Sequence, residues 1–203
     1  MRKLIMVAAP AVLALGVAGC GPKTSETAAS TENSASNAAD DAGNAIANAA
    51  DDVKEAVTPT PTGQEFADNA AKSDAFEIAS AKLAKAKASS ASIKSFAAMM
   101  IEDHTASTAK VKKAASEANP AITPDPTLTD DQNSKLADLG KLSGADFDKA
   151  YADQQVDAHQ TALSLMTVYA DKGEVASLKT AAGEIKPKVA AHLDKIKAIR
   201  DTL

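Results

Sequence analysis

From residue 64 to residue 203, apolar side chains recur at spacings of three and four, the pattern of helices with one buried face. The first helix is predicted over 64–88, with Phe66, Ala70, Phe76, Leu83 and Ala84 turned inward. Ser89-Ser90-Ala91-Ser92 interrupts it and supplies hydroxyl caps for the next helix. That helix, over 93–118, carries the stripe Ile93, Phe96, Met100, His104, Ser107, Val111, Ala114 and Ala118, and Asn119-Pro120 ends it. A third, over about 143–171, shows two adjacent stripes: Phe147, Tyr151, Ala158, Ala162, Leu165 and Tyr169 beside Ala152, Val156, His159, Leu163 and Met166. After Lys172-Gly173 the fourth shows Leu178, Ala182, Ile185, Val189, His192, Ile196 and Ile199, with Pro187 inside it as an expected kink.

The longest connection spans 119–143. Pro120, Pro124 and Pro126 keep its first half extended. Thr129 with Gln132 forms a capping box that opens a short helix to about Leu139, where Gly140 can close it. Ser143 with Asp146 reads as a second box. Two hairpins joined by one long crossover give an all-α, ferritin-like four-helix bundle over 64–203. Its alanine-rich faces imply close helix packing and a lean core.

The first 63 residues are of another kind. Arg2 and Lys3 precede an apolar stretch from Leu4 to Val17, too short for a span of about 20 residues and suited to a secretory signal over 1–19. Val17-Ala18-Gly19-Cys20 resembles a bacterial lipobox, which makes Cys20 the expected lipidated N-terminus of the mature chain. Such an anchor holds the protein stably on a membrane. By resemblance to enterobacterial lipoprotein sorting, Gly21 in place of Asp implies the outer membrane, with the bundle expected to face the periplasm. Residues 20–63 then read as an acidic, low-complexity tether without aromatic residues. Within it, Asn37-Ala-Ala-Asp-Asp41 recurs as Asn48-Ala-Ala-Asp-Asp52, and the eleven-residue period allows an amphipathic helix over 37–57.

Composition removes several function classes. Aromatic residues make up 3% of the 203 and Trp is absent, which disfavours a sandwich or barrel. The single Cys excludes an internal disulfide framework and a Cys-based zinc site. A net charge of −5 argues against nucleic-acid binding. No glycine-rich phosphate loop and no Ser/His/Asp constellation stands out.

The candidate chemistry lies in the three histidines, His104, His159 and His192, one in each apolar stripe of the last three long helices. Imidazole is a common metal ligand, and bundle cores are where ferritin-like proteins hold metals. With hairpin turns placed near 90.5 and 172.5, Glu77, His104 and His159 each lie 13.5 residues from a turn, and Asp103 sits beside them. His192, 19.5 residues away, misses that level by six residues, roughly 9 Å at 1.5 Å per residue. The di-iron pattern of Glu three residues before a ligating His is absent: Ile101, Val156 and Val189 occupy those positions. The candidate metal residues are therefore Glu77, Asp103, His104, His159 and, more remotely, His192, for one transition-metal ion. The competing reading makes them core histidines hydrogen-bonded to carboxylates, Glu77 or Tyr151. Met99, Met100 and Met166 read as core packing, and Tyr151 as a core anchor with a satisfied hydroxyl.

Phe76-Glu77, Met100-Ile-Glu-Asp103-His104, Ser143-Gly-Ala-Asp-Phe147-Asp148-Lys-Ala-Tyr151, His159 and Pro187-Lys-Val-Ala-Ala-His192-Leu193 together resemble the domain of unknown function 4142 family of bacterial envelope proteins. The resemblance implies a ferritin-like bundle in the periplasm or at the outer membrane and brings no activity with it. Three functional readings follow: a lipid-anchored, non-catalytic interaction or stress-related module with an envelope protein partner; a bundle that sequesters or senses a transition metal; and a carrier with an apolar cavity.

Overall fold

The structure is a computed structural model that describes residues 59–203. The signal, Cys20 and the 37–57 repeat lie outside the described residues. Among the described residues all regular structure is helical: α1 (Gly63–Lys87), α2 (Ala91–Ser116), α3 (Asp130–Lys141), α4 (Gly144–Lys172) and α5 (Ala176–Arg200). No described helix is long and apolar enough to cross a membrane.

Local signals set the ends. Thr62 and Glu65 close a full capping box at the start of α1, and Thr129 and Gln132 close another at α3. Ser90 caps α2 by accepting from the Ile93 N–H. The box expected at Ser143 is not made: Ser143 offers α4 no side-chain cap, and Gly144 follows at φ +62°, a left-handed conformation that suits glycine. Gly140 does not close α3 but lies within it. Pro187 is accommodated inside α5, which runs on to Arg200.

α1 and α2 form one antiparallel hairpin, α4 and α5 the other, with α1 beside α4 and α2 beside α5. The start of α4 meets the end of α1 through a backbone bridge between Ala88 and Gly144. At the other end the Gly63 N–H donates to Glu174, in the α4–α5 connection. The crossover with α3 therefore runs the length of the bundle, and every pair of neighbouring long helices is antiparallel, the single-crossover connectivity of ferritin-like folds.

The core is divided along the bundle axis. One apolar half gathers Ala84, Ile93, Phe96, Met100, Phe147, Tyr151 and Ile196. The other gathers Phe66, Val111, Met166, Tyr169, Leu178 and Ile185, with Phe66 and Tyr169 stacked at 3.9 Å between ring centroids. Between the halves lies a layer of buried polar side chains contributed by all four long helices: Asp74, Glu77, Ser80, His104, Gln155, His159 and His192. Burying such groups is costly unless each is paired, so this layer is the part of the interior that packing alone does not explain.

Candidate metal centre

Each long helix reaches the polar layer along its own core stripe. In α1 the series Phe66, Ala70, Asp74, Glu77, Ala81, Ala84 is buried throughout, so two carboxylates stand where the periodicity calls for apolar residues. In α4 the series Phe147, Tyr151, Gln155, His159 places an amide and an imidazole one helical turn apart on the same face. His104 follows Met100 in α2, and His192 follows Val189 in α5.

The three histidines converge. One ring nitrogen from each of His104, His159 and His192 lies within 4.8 Å of the others. Their ring centroids form a nearly equilateral triangle with sides of 5.8, 5.6 and 5.5 Å. The inclusion of His192 corrects the expectation that it lies about 9 Å off level. The connections are residues 88–90 and 173–175, so the turns centre on Ser89 and Glu174. Counted from those centres, Asp74, His104 and His159 are each 15 residues away and His192 is 18. The remaining three residues, about 4.5 Å, are offset by side-chain direction. Side chains lean toward the N-terminus of their own helix, so His159 leans away from the α4–α5 turn and His192 leans toward it.

The same recount moves the carboxylate partner of His104. His104 Nδ1 donates to Asp74 Oδ1 at 2.7 Å, and Thr108 donates to Asp74 Oδ2 at 3.0 Å. Asp74 was not among the sequence candidates; following the α1 stripe through its polar positions finds it. Glu77 is not part of the convergent group. It is fully buried and accepts from Gln155 Nε2 at 2.5 Å, and that amide also donates to Ser80 at 3.3 Å. Asp103 stands outside the triangle, where Oδ2 accepts from His192 Nε2 at 2.8 Å and Oδ1 meets the Lys188 ammonium at 3.3 Å. His159 Nδ1 donates to the Gln155 backbone carbonyl at 2.8 Å.

Each imidazole is thus held through one nitrogen by an acceptor outside the triangle. The other nitrogens, Nε2 of His104, Nε2 of His159 and Nδ1 of His192, are buried and meet no hydrogen-bond partner in the protein. With the outer nitrogen protonated, the inner one carries a lone pair. Acceptor partners that fix tautomer and ring orientation are the usual surroundings of metal-ligating histidines. A bound ion with metal–nitrogen distances of about 2.0–2.1 Å would bring the three nitrogens to roughly 3.3–3.6 Å apart, a small contraction from the observed triangle. The Tyr151 hydroxyl also lacks a protein partner, contrary to the expectation that it is satisfied.

Electrostatics separates the three rings. Burial lowers the pKa of His159 to about 3, and the charges of His104 and His192 add to that against the Gln155 carbonyl, so this ring is neutral at pH 7. Burial also lowers His192, although Asp103 opposes it. For His104 burial pulls downward, but the hydrogen bond to Asp74 and the charges of Glu77, Asp74 and Asp103 outweigh it and raise the pKa. Burial raises Glu77 to about 7, against the pull of His104 and Gln155. Asp103 is lowered: burial acts upward, and the hydrogen bonds from His192 and Lys188 prevail.

Two solved structures share this fold: CopM in the Cu(I)-bound form (18% identity, TM-score 0.58, covering 70% of this chain and 97% of that one) and CopM in the Cu(II)-bound form (18%, 0.61, 71% and 99%). No curated protein sequence matches the chain. The sequence profile of the family described as Domain of unknown function (DUF4142) matches residues 47–199, most of the chain, in agreement with the resemblance carried by the five segments quoted above. The chain belongs to that family.

Proposed function

We propose that this bundle binds one copper ion between His104, His159 and His192 and that its role is to hold that ion at the cell envelope. The observation that carries the reading is the convergence of three buried, unpartnered ring nitrogens, each backed by an acceptor on the opposite side of its ring. A purely structural histidine layer has no use for three ring nitrogens gathered without hydrogen-bond partners in the protein, and burying them unpaired is costly.

Three facts favour copper among the transition metals. The donor set is all imidazole, which suits copper and zinc, and Cu(II) heads the affinity order of divalent first-row ions. Asp74 and Asp103 behind two of the ligands balance the charge of Cu(II) without occupying its coordination sphere. The solved structures of like fold are named for bound Cu(I) and Cu(II). Lipid anchoring through Cys20, outer-membrane placement and the periplasmic aspect come from the sequence and belong to this proposal. The interaction-module reading ranks second, because nothing in it uses the histidine layer.

Copper titration of the untagged protein by competition with a chelator of known affinity tests the reading. One ion per chain is expected, with affinity lost in His159→Leu, which keeps the volume and removes a nitrogen. Unchanged binding in that variant would overturn it.

A further inference from the structure

The histidine layer is closed along the bundle axis. An apolar half lies on either side of it, and the Phe96 ring stands edge-on to His159 at 6.4 Å and to His192 at 6.3 Å between centroids. An ion therefore reaches the rings sideways, between two helices. The groups that back the rings differ in their access to water. Asp74, behind His104, has a side chain only 6% exposed, and the carbonyl behind His159 belongs to Gln155, which is wholly buried. Asp103, behind His192, is 20% exposed and stands on the seam between α2 and α5. Beside it the helices leave a recess of about 20 Å³, whose lining includes Asp74, Asp103, His104, Lys188 and His192. A water-sized group needs roughly 10–15 Å³ by this measure, so the recess admits an ion but not its hydration shell.

We propose that copper enters and leaves the histidine layer through this seam, with Asp103 as the first carboxylate to meet the ion and Lys188 as the latch that closes the way. The inference rests on the copper reading. Charge favours a cation here. Asp74 and Asp103 against Lys188 leave the recess net negative with the rings neutral, and buried Glu77 adds to this once ionised. The latch is loose: the Lys188 ammonium meets Asp103 Oδ1 at 3.3 Å on a side chain that is 58% exposed, and such pairs hold weakly. When Lys188 swings into solvent, Oδ1 is uncovered while Oδ2 still accepts from His192 Nε2. The helix that carries the latch can yield too. Pro187 has no N–H, so the Gly183 carbonyl one turn earlier loses its helical partner, and Gly183 itself adds backbone freedom. Packing does not demand glycine there, because a Cβ at 183 would meet nothing nearer than Ala170 Cβ at 4.0 Å. Lys188 follows this weak point directly and His192 lies one turn beyond it, so α5 can carry both away from α2. Latch and hinge set the rate of exchange and leave the affinity to the three imidazoles.

The experiment uses the full chain and Cu(II) at a fixed pH of about 7.5. Uptake is followed by stopped-flow quenching of tyrosine fluorescence, release by transfer to a chelator extrapolated to zero chelator, and affinity by chelator competition. Lys188→Ala should speed uptake and release alike, roughly threefold to fivefold, and leave the dissociation constant unchanged within about twofold. Gly183→Ala, which adds one methyl in open space and stiffens the helix, should slow both by a similar factor. Faster uptake with unchanged release in Lys188→Ala overturns the inference, because the lysine then only repels the approaching ion at long range. Wild-type rates in either variant overturn it as well, and leave the copper reading standing. No copper bound by the wild-type chain, or binding that survives His159→Leu unchanged, instead fails the copper reading, and the inference with it.

Discussion

Asp74 and His104 form the pair on which the chemistry of the site turns. The carboxylate holds the outer nitrogen of the ring and raises its pKa, so as pH falls a proton on the inner nitrogen competes with the metal for the same lone pair. Affinity should therefore fall as pH falls through the raised pKa of His104, above the ordinary value of 6.5. Asp74→Asn should move that midpoint to lower pH, and at neutral pH and above it should weaken metal binding about 10–100-fold, the usual cost of losing such a backing group. Chelator competition across pH, with the His104 ring followed by NMR, measures both effects. A neighbouring residue gives an opposite signature in the metal-free protein. Glu77 holds its proton up to about pH 7 when folded and only to about 4.5 when unfolded, so it costs stability progressively between those values and fully above them. His159 has a depressed pKa, so stability is lost as pH falls from 6.5 toward 3. The two slopes oppose each other near pH 4.5–6.5. Glu77→Gln should stabilise the metal-free protein by about 1–3 kcal/mol at pH 8 and change little at pH 4, as read from urea unfolding. The sequence showed the histidines because each interrupts an apolar stripe. It concealed Asp74 and Gln155 because carboxylates and amides on a stripe are ordinarily read as its edge; only the unbroken spacing through Phe66, Ala70, Asp74, Glu77 and through Phe147, Tyr151, Gln155, His159 marks them as interior.

At the level of elements, the positions of the helices follow from periodicity and caps, and their observed ends differ from the expected ones by only a few residues. Those few residues decided the site. Centring the turns on Ser89 and Glu174 brings His192 into the triangle and replaces Glu77 by Asp74 as the partner of His104. Long-range polar contacts were also beyond a local reading. Asp148, expected only as part of the entry into the third long helix, accepts from the Ser89 and Ser90 N–H groups and from the Ser89 hydroxyl, and so fastens the α1–α2 turn to α4. Its side chain is buried, so Asp148→Ala leaves two backbone donors without an acceptor and should cost about 2–4 kcal/mol in chemical denaturation. Serine at the same position, with a shorter acceptor, should recover part of that loss. Because the α1–α2 turn sets the register of Asp74 against His104, the alanine variant should also weaken metal binding, by less than Asp74→Asn does.

For the molecule as a whole, the division of the core is the central fact. Two apolar halves built from alanines, larger aliphatic side chains and a few rings provide the burial that holds the bundle together, and the polar layer between them interrupts it. Without a ligand, that layer is a burden on folding; with one, binding energy adds to stability. At copper concentrations one hundred times the dissociation constant the gain is about 2.7 kcal/mol, which raises the melting temperature of a domain this size by roughly 5–10 °C. His159→Leu should show the reverse pattern: a metal-free protein more stable by about 1–2 kcal/mol and no response to copper. Scanning calorimetry with and without the ion separates the two. Equal stabilisation of both proteins would place the ion outside the layer.

The most direct test is where the copper sits. Crystals of the copper-loaded protein, measured on both sides of the copper absorption edge, should show one anomalous peak per chain inside the bundle. It should lie about 2 Å from each of Nε2 of His104, Nε2 of His159 and Nδ1 of His192. A peak at the N-terminal segment or on the surface, with the three imidazoles as far apart as they are now, would contradict the account.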